Sequence, residues 1–259
     1  MPVPTLPALA PPAFVASCEV RSGAKRAALV ELYTSEGCSS CPPADQQLRE
    51  IKAWLGPKAD VVPLALHVDY WDSIGWKDRF AMPGFARRQQ WLVQTNDRQT
   101  VYTPQFFVGG LEQRGWTDVA PAEVRRVNSE PAQASLQLQA HLDASGQWQL
   151  QATAKPTPAY AAKLEGRGAT QGLAIFLAAT QSGLKSQVLR GENQGATLAH
   201  DHVVRWWSGP LHLMAWPQGV QQQVSFPADL VRANTTIVAF VQDMHDGQVL
   251  QAVSCKPGA

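Results

Sequence analysis

Two cysteines separated by two positions, Cys38 and Cys41, are the residues of this chain best spaced for chemistry. Thiols at that spacing close a disulfide within one tight turn. A thiolate there lies near the positive end of the following helix, which lowers its pKa and makes it a better nucleophile and leaving group. The flanks fit: Leu29 to Tyr33 is an apolar, β-leaning run, small and polar residues follow, and a helical pattern begins after Cys41. Strand, loop, Cys-x-x-Cys and helix in that order suggest thiol–disulfide chemistry. Half of a zinc site, a static disulfide and a coincidental spacing are the rival readings. A structural zinc site commonly needs a second Cys pair or a His pair at short spacing, which Cys18 and Cys255 do not supply.

Other residue groups carry weaker signals. Cys18 and Cys255 lie near opposite ends of the chain. In an oxidising compartment their pairing would tie the ends together, worth roughly 4 to 5 kcal/mol at most by loop entropy; two buried unpaired thiols are the alternative. His67 and Asp69 alternate at a strand end, where Asp69 could take a proton from Cys41, or both could simply cap the strand. His200 and His202 could chelate a metal from one strand face, although no third ligand is evident and no metal is assigned. Arg87-Arg88 reads as the solvated face of a helix. Tyr70, Trp71, Trp76 and Phe80 read as local core or as the lining of a peptide groove.

The elements that must position the cysteines follow from periodicity. Leu48, Ile51, Trp54 and Leu55 give an amphipathic helix from about Pro43 to Leu55, stopped by Gly56-Pro57, and Val61 to Val68 is a near-continuous apolar strand that completes a β-α-β unit. Residues 70–100 form a helical insertion opened by Pro83-Gly84. Val101 to Gly110 is a strand entered through Thr103-Pro104, and Val119 to Val127 is a closing helix. From about Glu130 helical periodicity disappears and short alternating runs follow, with a hairpin pattern around Asp143 to Gly146. At 259 residues the chain is long enough for two domains. The division expected is residues 1–25 as leader or linker, 26–130 as an α/β domain and 131–259 as an all-β, immunoglobulin-like sandwich.

Composition narrows the function classes. Lys and Arg (22) nearly balance Asp and Glu (21), which gives no charge argument for nucleic acid or an anionic membrane. No apolar run approaches the roughly 18 residues of a membrane span. The proline-rich leader lacks the basic start of a signal peptide, and Val15-Ala16-Ser17-Cys18 weakly matches a lipoprotein cleavage site that would compete for the Cys18 sulfur.

The run Val30 to Asp45, then His67-Val-Asp-Tyr-Trp-Asp72 with Gly75-Trp76, then Val101 to Gln105, resembles the secreted thioredoxin-like family filed as domain-of-unknown-function family 1223. Gly191-Glu-Asn-Gln-Gly195 with His202 to Arg205, and Phe240 to Asp243 with Val249 to Ala252, resemble its C-terminal half. The resemblance implies a thioredoxin-like N-terminal domain and export, without a settled activity. In thioredoxin-like folds a cis-proline faces the Cys-x-x-Cys, and the residue before it pairs with an incoming peptide, which assigns those roles to Pro104 and Thr103. The chain departs from thioredoxins in carrying Ser39-Ser40 between the cysteines and Pro42-Pro43 after them. Regular helix should therefore begin at Pro42 or Pro43, leaving Cys38 outside the first turn.

The function expected is an extracytoplasmic, cofactor-free exchange of the Cys38–Cys41 disulfide with protein thiols or disulfides. Cys38 would attack, Cys41 would resolve, and Thr103 and Pro104 would hold the substrate. A non-catalytic binding protein with a static Cys38–Cys41 disulfide and a copper-handling protein with thiolates beside His67 are the alternatives.

Overall fold

The computed structural model describes residues 14–166, 172–214 and 217–258. Most of the proline-rich leader and the end of the expected strand Leu211 to Trp216 lie outside the described residues. In chain order the elements are β1 (Phe14–Arg21), β2 (Ala28–Thr34), α1 (Pro42–Leu55), β3 (Val61–His67), α2 (Pro83–Thr95), β4 (Gln105–Val108), β5 (Leu111–Gln113), α3 (Trp116–Ser129), β6 (Ala134–Asp143), β7 (Trp148–Pro156), α4 (Pro158–Gly166), β8 (Leu173–Gln181), β9 (Leu184–Gln187), β10 (Thr197–His200), β11 (Val203–His212), β12 (Gln218–Val224), β13 (Thr235–Asp243) and β14 (Val249–Cys255).

One eight-stranded sheet, ordered β14-β13-β8-β11-β3-β2-β4-β5, runs through both halves of the chain. β2 and β3 are parallel, and α1 crosses between them. The halves meet where β11 pairs parallel with β3 at Val203 and Ala65, with the Ala65 N–H donating to the His202 carbonyl. The second half is thus not a free-standing all-β sandwich. Its β8, β11, β13 and β14 extend the sheet of the first half, and it contains the helix α4. A second, four-stranded sheet is ordered β1-β6-β7-β12. The stretch expected as leader or linker therefore supplies β1, whose residues Phe14 to Arg21 pair antiparallel with β6.

Strand alternation decides which face each core residue serves. Ala28, Val30 and Leu32 of β2 pack on Leu48 and Ile51 of α1 and on Ala120 and Val124 of α3. Leu29 and Tyr33 face the opposite side, with Phe85 and Leu92 of α2 and Phe176 and Phe240 from the second half. Leu173, Ile175 and Leu177 of β8 pack on Leu136 and Leu138 of the four-stranded sheet. The core around α2 is therefore common to both halves.

A buried ion pair pins this shared core and corrects one half of the expected solvated Arg87-Arg88 face: Arg87 is exposed, Arg88 is not. Arg88 is only 8% exposed. Its guanidinium donates to both Glu31 carboxylate oxygens at 2.6 and 3.0 Å and to the Gln242 side-chain carbonyl at 3.0 Å, and it lies 4.7 Å from the Phe176 ring centroid. A charge between apolar layers persists because it is paired and hydrogen-bonded on several sides.

Candidate functional site

α1 starts at Pro42, with Cys41 as its N-cap and prolines at the first two helical positions. Prolines fit there because the first N–H groups of a helix have no intrahelical acceptor. Cys38 and Cys41 form a disulfide with Cα atoms 5.4 Å apart. The Cys41 N–H donates to the Cys38 carbonyl at 3.2 Å, and the Cys41 carbonyl accepts from Ala44 and Asp45. Cys38 therefore lies outside the first helical turn. Both cysteines are fully buried, while Ser39 and Ser40 between them are exposed. The Cys38 sulfur lies 3.4 Å from the Ser40 hydroxyl.

Trp71 joins this loop to the Thr103–Pro104 segment. A Cβ on Gly37 would sit 3.1 Å from the Trp71 Cβ, so the small residue before Cys38 lets the tryptophan pack against the loop. The Trp71 indole N–H donates to the Thr103 hydroxyl at 2.7 Å. Thr103 is half-buried, Pro104 is buried, and the bond between them is cis. Gln89 of α2 buttresses the segment by donating to the Tyr102 carbonyl at 2.8 Å and to the Gln105 side-chain carbonyl at 2.7 Å.

The histidine ending β3 belongs to a buried ionisable cluster behind the cysteine loop. His67 Nδ1 lies 2.7 Å from Asp78 Oδ2, which also accepts the Glu36 N–H at 2.9 Å. Trp76 Nε1–H donates to Glu36 Oε2 at 2.7 Å, and His200 Nε2 lies 3.2 Å from Glu36 Oε1, within ion-pair range without hydrogen-bond alignment. Burial alone would depress the His67 imidazolium, but the Asp78 carboxylate outweighs it and raises the pKa. Burial would likewise raise the Asp78 and Glu36 carboxyls, yet His67 holds the first below its usual range and contact with His200 lowers the second. Asp45, on the first turn of α1, is pushed up by burial.

The structure separates other residues that the sequence grouped. Asp69 is half-buried and its carboxylate has no hydrogen-bond or ion-pair partner among the described residues. His200 packs against His67 with ring centroids 5.2 Å apart. His202 instead lines a cavity with Lys52 and Cys255, where burial and then the Lys52 charge push its pKa down to about 4. The two histidines thus face different surroundings instead of chelating together. Among the described residues no three His, Cys, Asp or Glu side chains are placed to share a metal ion. Cys18 and Cys255 are joined, with Cα atoms 5.9 Å apart, so the sulfur that a lipid anchor would need is occupied.

Sequence reasoning missed what lies over the cysteines. The turn Gly191 to Gly195, between β9 and β10, reaches across from the second half. Glu192 Oε2 accepts from the Ser39 N–H at 3.0 Å and from the Ser39 hydroxyl at 2.7 Å. The Asn193 amide donates to the carbonyls of Glu36 and Cys38, each at 2.9 Å. The two glycines flanking Glu-Asn-Gln mark a turn, but nothing local shows where that turn lands.

These features define a two-disulfide α/β protein in which one disulfide sits at the amino end of a helix and the other staples the chain ends. The chain belongs to the family described as Protein of unknown function (DUF1223), which matches residues 29–242. Two solved structures share the fold. A structural-genomics protein from Agrobacterium tumefaciens is 23% identical, with 90% of this chain and 95% of that one covered at a TM-score of 0.58. HBP35 of Porphyromonas gingivalis is 17% identical, with 90% and 76% covered at a TM-score of 0.66. No curated protein matches the chain. Among the described residues no helix is long and apolar enough to cross a membrane.

Proposed function

We propose that this protein is an exported thioredoxin-like thiol–disulfide oxidoreductase that exchanges its Cys38–Cys41 disulfide with a protein partner. The observation that carries this reading is the disulfide at the amino end of α1, joined through Trp71 to the Thr103–Pro104 segment. Two disulfides also fit an oxidising compartment.

In the oxidising direction a partner thiolate attacks Cys38 Sγ, the Cys38–Cys41 bond breaks, and Cys41 leaves as a thiolate. A second partner thiolate then attacks the partner sulfur of the mixed disulfide and releases Cys38. The partner gives up two electrons and two protons, and the cysteine pair accepts them as two thiols. The reverse sequence reduces a partner disulfide, and the reduction potential sets the direction. Thr103 and Pro104 present the substrate strand.

Trapping tests the proposal. Cys41→Ser leaves Cys38 without its resolving partner and is expected to accumulate a mixed disulfide, identifiable by mass spectrometry, in the native compartment. The second reading, a static disulfide in a binding protein, is favoured by the complete burial of both cysteines. A reduction potential below about −300 mV, with a Cys38 thiol pKa near the free value of about 8.5, would establish that reading instead.

A further inference from the structure

We propose that the Gly191–Gly195 turn occupies the docking surface of the partner, and that the partner presents an acidic side chain where the Glu192 carboxylate now sits. This deepens the exchange reading and rests on it. Four polar backbone and side-chain groups of the cysteine loop meet this turn: the Ser39 N–H, the Ser39 hydroxyl, and the carbonyls of Glu36 and Cys38. All four are satisfied by the side chains of two consecutive residues, a carboxylate on the two donors and a primary amide on the two carbonyls.

That pattern is how a bound peptide reads a loop, supplied here in cis. The loop that the turn covers carries a fully buried disulfide although the two serines between the cysteines are exposed. The turn is built as a separable unit. The Gly195 N–H donates to the Val188 carbonyl, the Val188 N–H to the Ala196 carbonyl, and the Gln194 N–H to the Gly191 carbonyl, so its backbone stays closed without the cysteine loop. Its other neighbours are side chains, with the Trp76 Cβ 3.4 Å and an Ile74 methyl 3.7 Å from where a Gly191 Cβ would lie. Lifting it frees the Ser39 donors and the Cys38 carbonyl together, and on this proposal it opens the way to the Cys38 sulfur. An incoming segment that lacked an acceptor, Lys or Arg included, would leave the Ser39 N–H unpaired beside the forming mixed disulfide.

Two measurements on the full chain test this. The first is the rate at which a small phosphine reduces Cys38–Cys41, followed by alkylation and peptide mapping. Glu192→Ala with Asn193→Ala is expected to react roughly tenfold faster or more than the wild type, with the Cys18–Cys255 rate unchanged as an internal check on folding. Glu192→Gln, which keeps a neutral acceptor, should fall between them. Equal rates in all three proteins would overturn the covering role. The second uses two dithiol peptides that differ only in Glu or Lys beside the first cysteine, offered to the double variant. Faster oxidation of the Glu peptide is expected, and equal oxidation of both would overturn the acidic preference. If phosphine reduction accelerates but neither peptide is oxidised and neither disulfide form of them is reduced, the exchange reading fails while the cover stands, and the docking proposal fails with that reading.

Discussion

Arg88→Met should destabilise this protein more than any ordinary surface substitution, because it strands a carboxylate in the core shared by both halves. Glu31 is fully buried, and among the described residues its side chain receives, besides the Arg88 guanidinium, only the Tyr33 hydroxyl, at 3.3 Å. Methionine fills much of the arginine stem and keeps contact with Phe176, Trp207 and Phe240, so lost packing is a minor part of the effect. Breaking a buried pair from one side costs about 3 to 5 kcal/mol, a third or more of the roughly 5 to 15 kcal/mol that stabilises a typical domain. The cost falls mainly on the orphaned charge. Arg88→Met combined with Glu31→Gln should therefore recover at least half of the loss, and urea unfolding of the four proteins of this cycle measures the coupling directly. A single variant within about 1 kcal/mol of the wild type would refute the reasoning, as would simple addition of the two single losses.

The His67–Asp78 pair should show itself in the pH dependence of stability. Asp78 is held low, so its contribution is present above about pH 4 and is lost as pH falls through its depressed value; His67 is held high, so its contribution is complete below about pH 6.5 and is lost as pH rises through its raised value. The stability lost in His67→Gln is expected to be greatest between those limits and to shrink above neutrality, and a loss that keeps growing to pH 9 would contradict the pairing. Trp71→Phe removes one indole hydrogen bond to Thr103 and should cost about 1 kcal/mol in urea unfolding while slowing mixed-disulfide formation by Cys41→Ser; an unchanged rate would detach Thr103 from the chemistry. Gly110→Ala should cost about 3 kcal/mol or more, because a Cβ there would lie 1.9 Å from the Gly247 carbonyl oxygen at a φ of 93°; a wild-type melting temperature would disprove that contact. Cys18→Ser with Cys255→Ser should lose about 2 to 5 kcal/mol, read by denaturant unfolding with Cys38–Cys41 intact.

What the sequence reveals here is local pattern, and what it hides is where distant pieces meet. The strand before Cys38, the helix after Cys41, the strand from Val61 and the helix opened by Pro83 all carry their own periodicity or punctuation, and each forms within a few residues of its expected limits. α4 is only nine residues long and buries just Tyr160 and Leu164, one turn apart, which is too little for a helical period to stand out from its β-rich surroundings. Arg88 looks solvated beside Arg87 because its carboxylate partner is on β2 and its aromatic neighbours lie in the second half. The single pairing of Val203 with Ala65, which turns two expected sheets into one, has no signature in either strand. The same holds for the site. Its sulfurs are legible from spacing alone, whereas Glu192, Asn193 and His200 reach it only through tertiary folding.

The Cys18–Cys255 staple imposes an order of events on a chain made from one end. As the protein emerges, Cys18, Cys38 and Cys41 appear almost together, while the proper companion of Cys18 lies 237 residues after it, in β14. Until that companion emerges, the nearby sulfurs of Cys38 and Cys41 are wrong partners for Cys18, and β1 waits for β6 as well. Early closure of Cys38–Cys41 at the start of α1 would take both competitors away from Cys18.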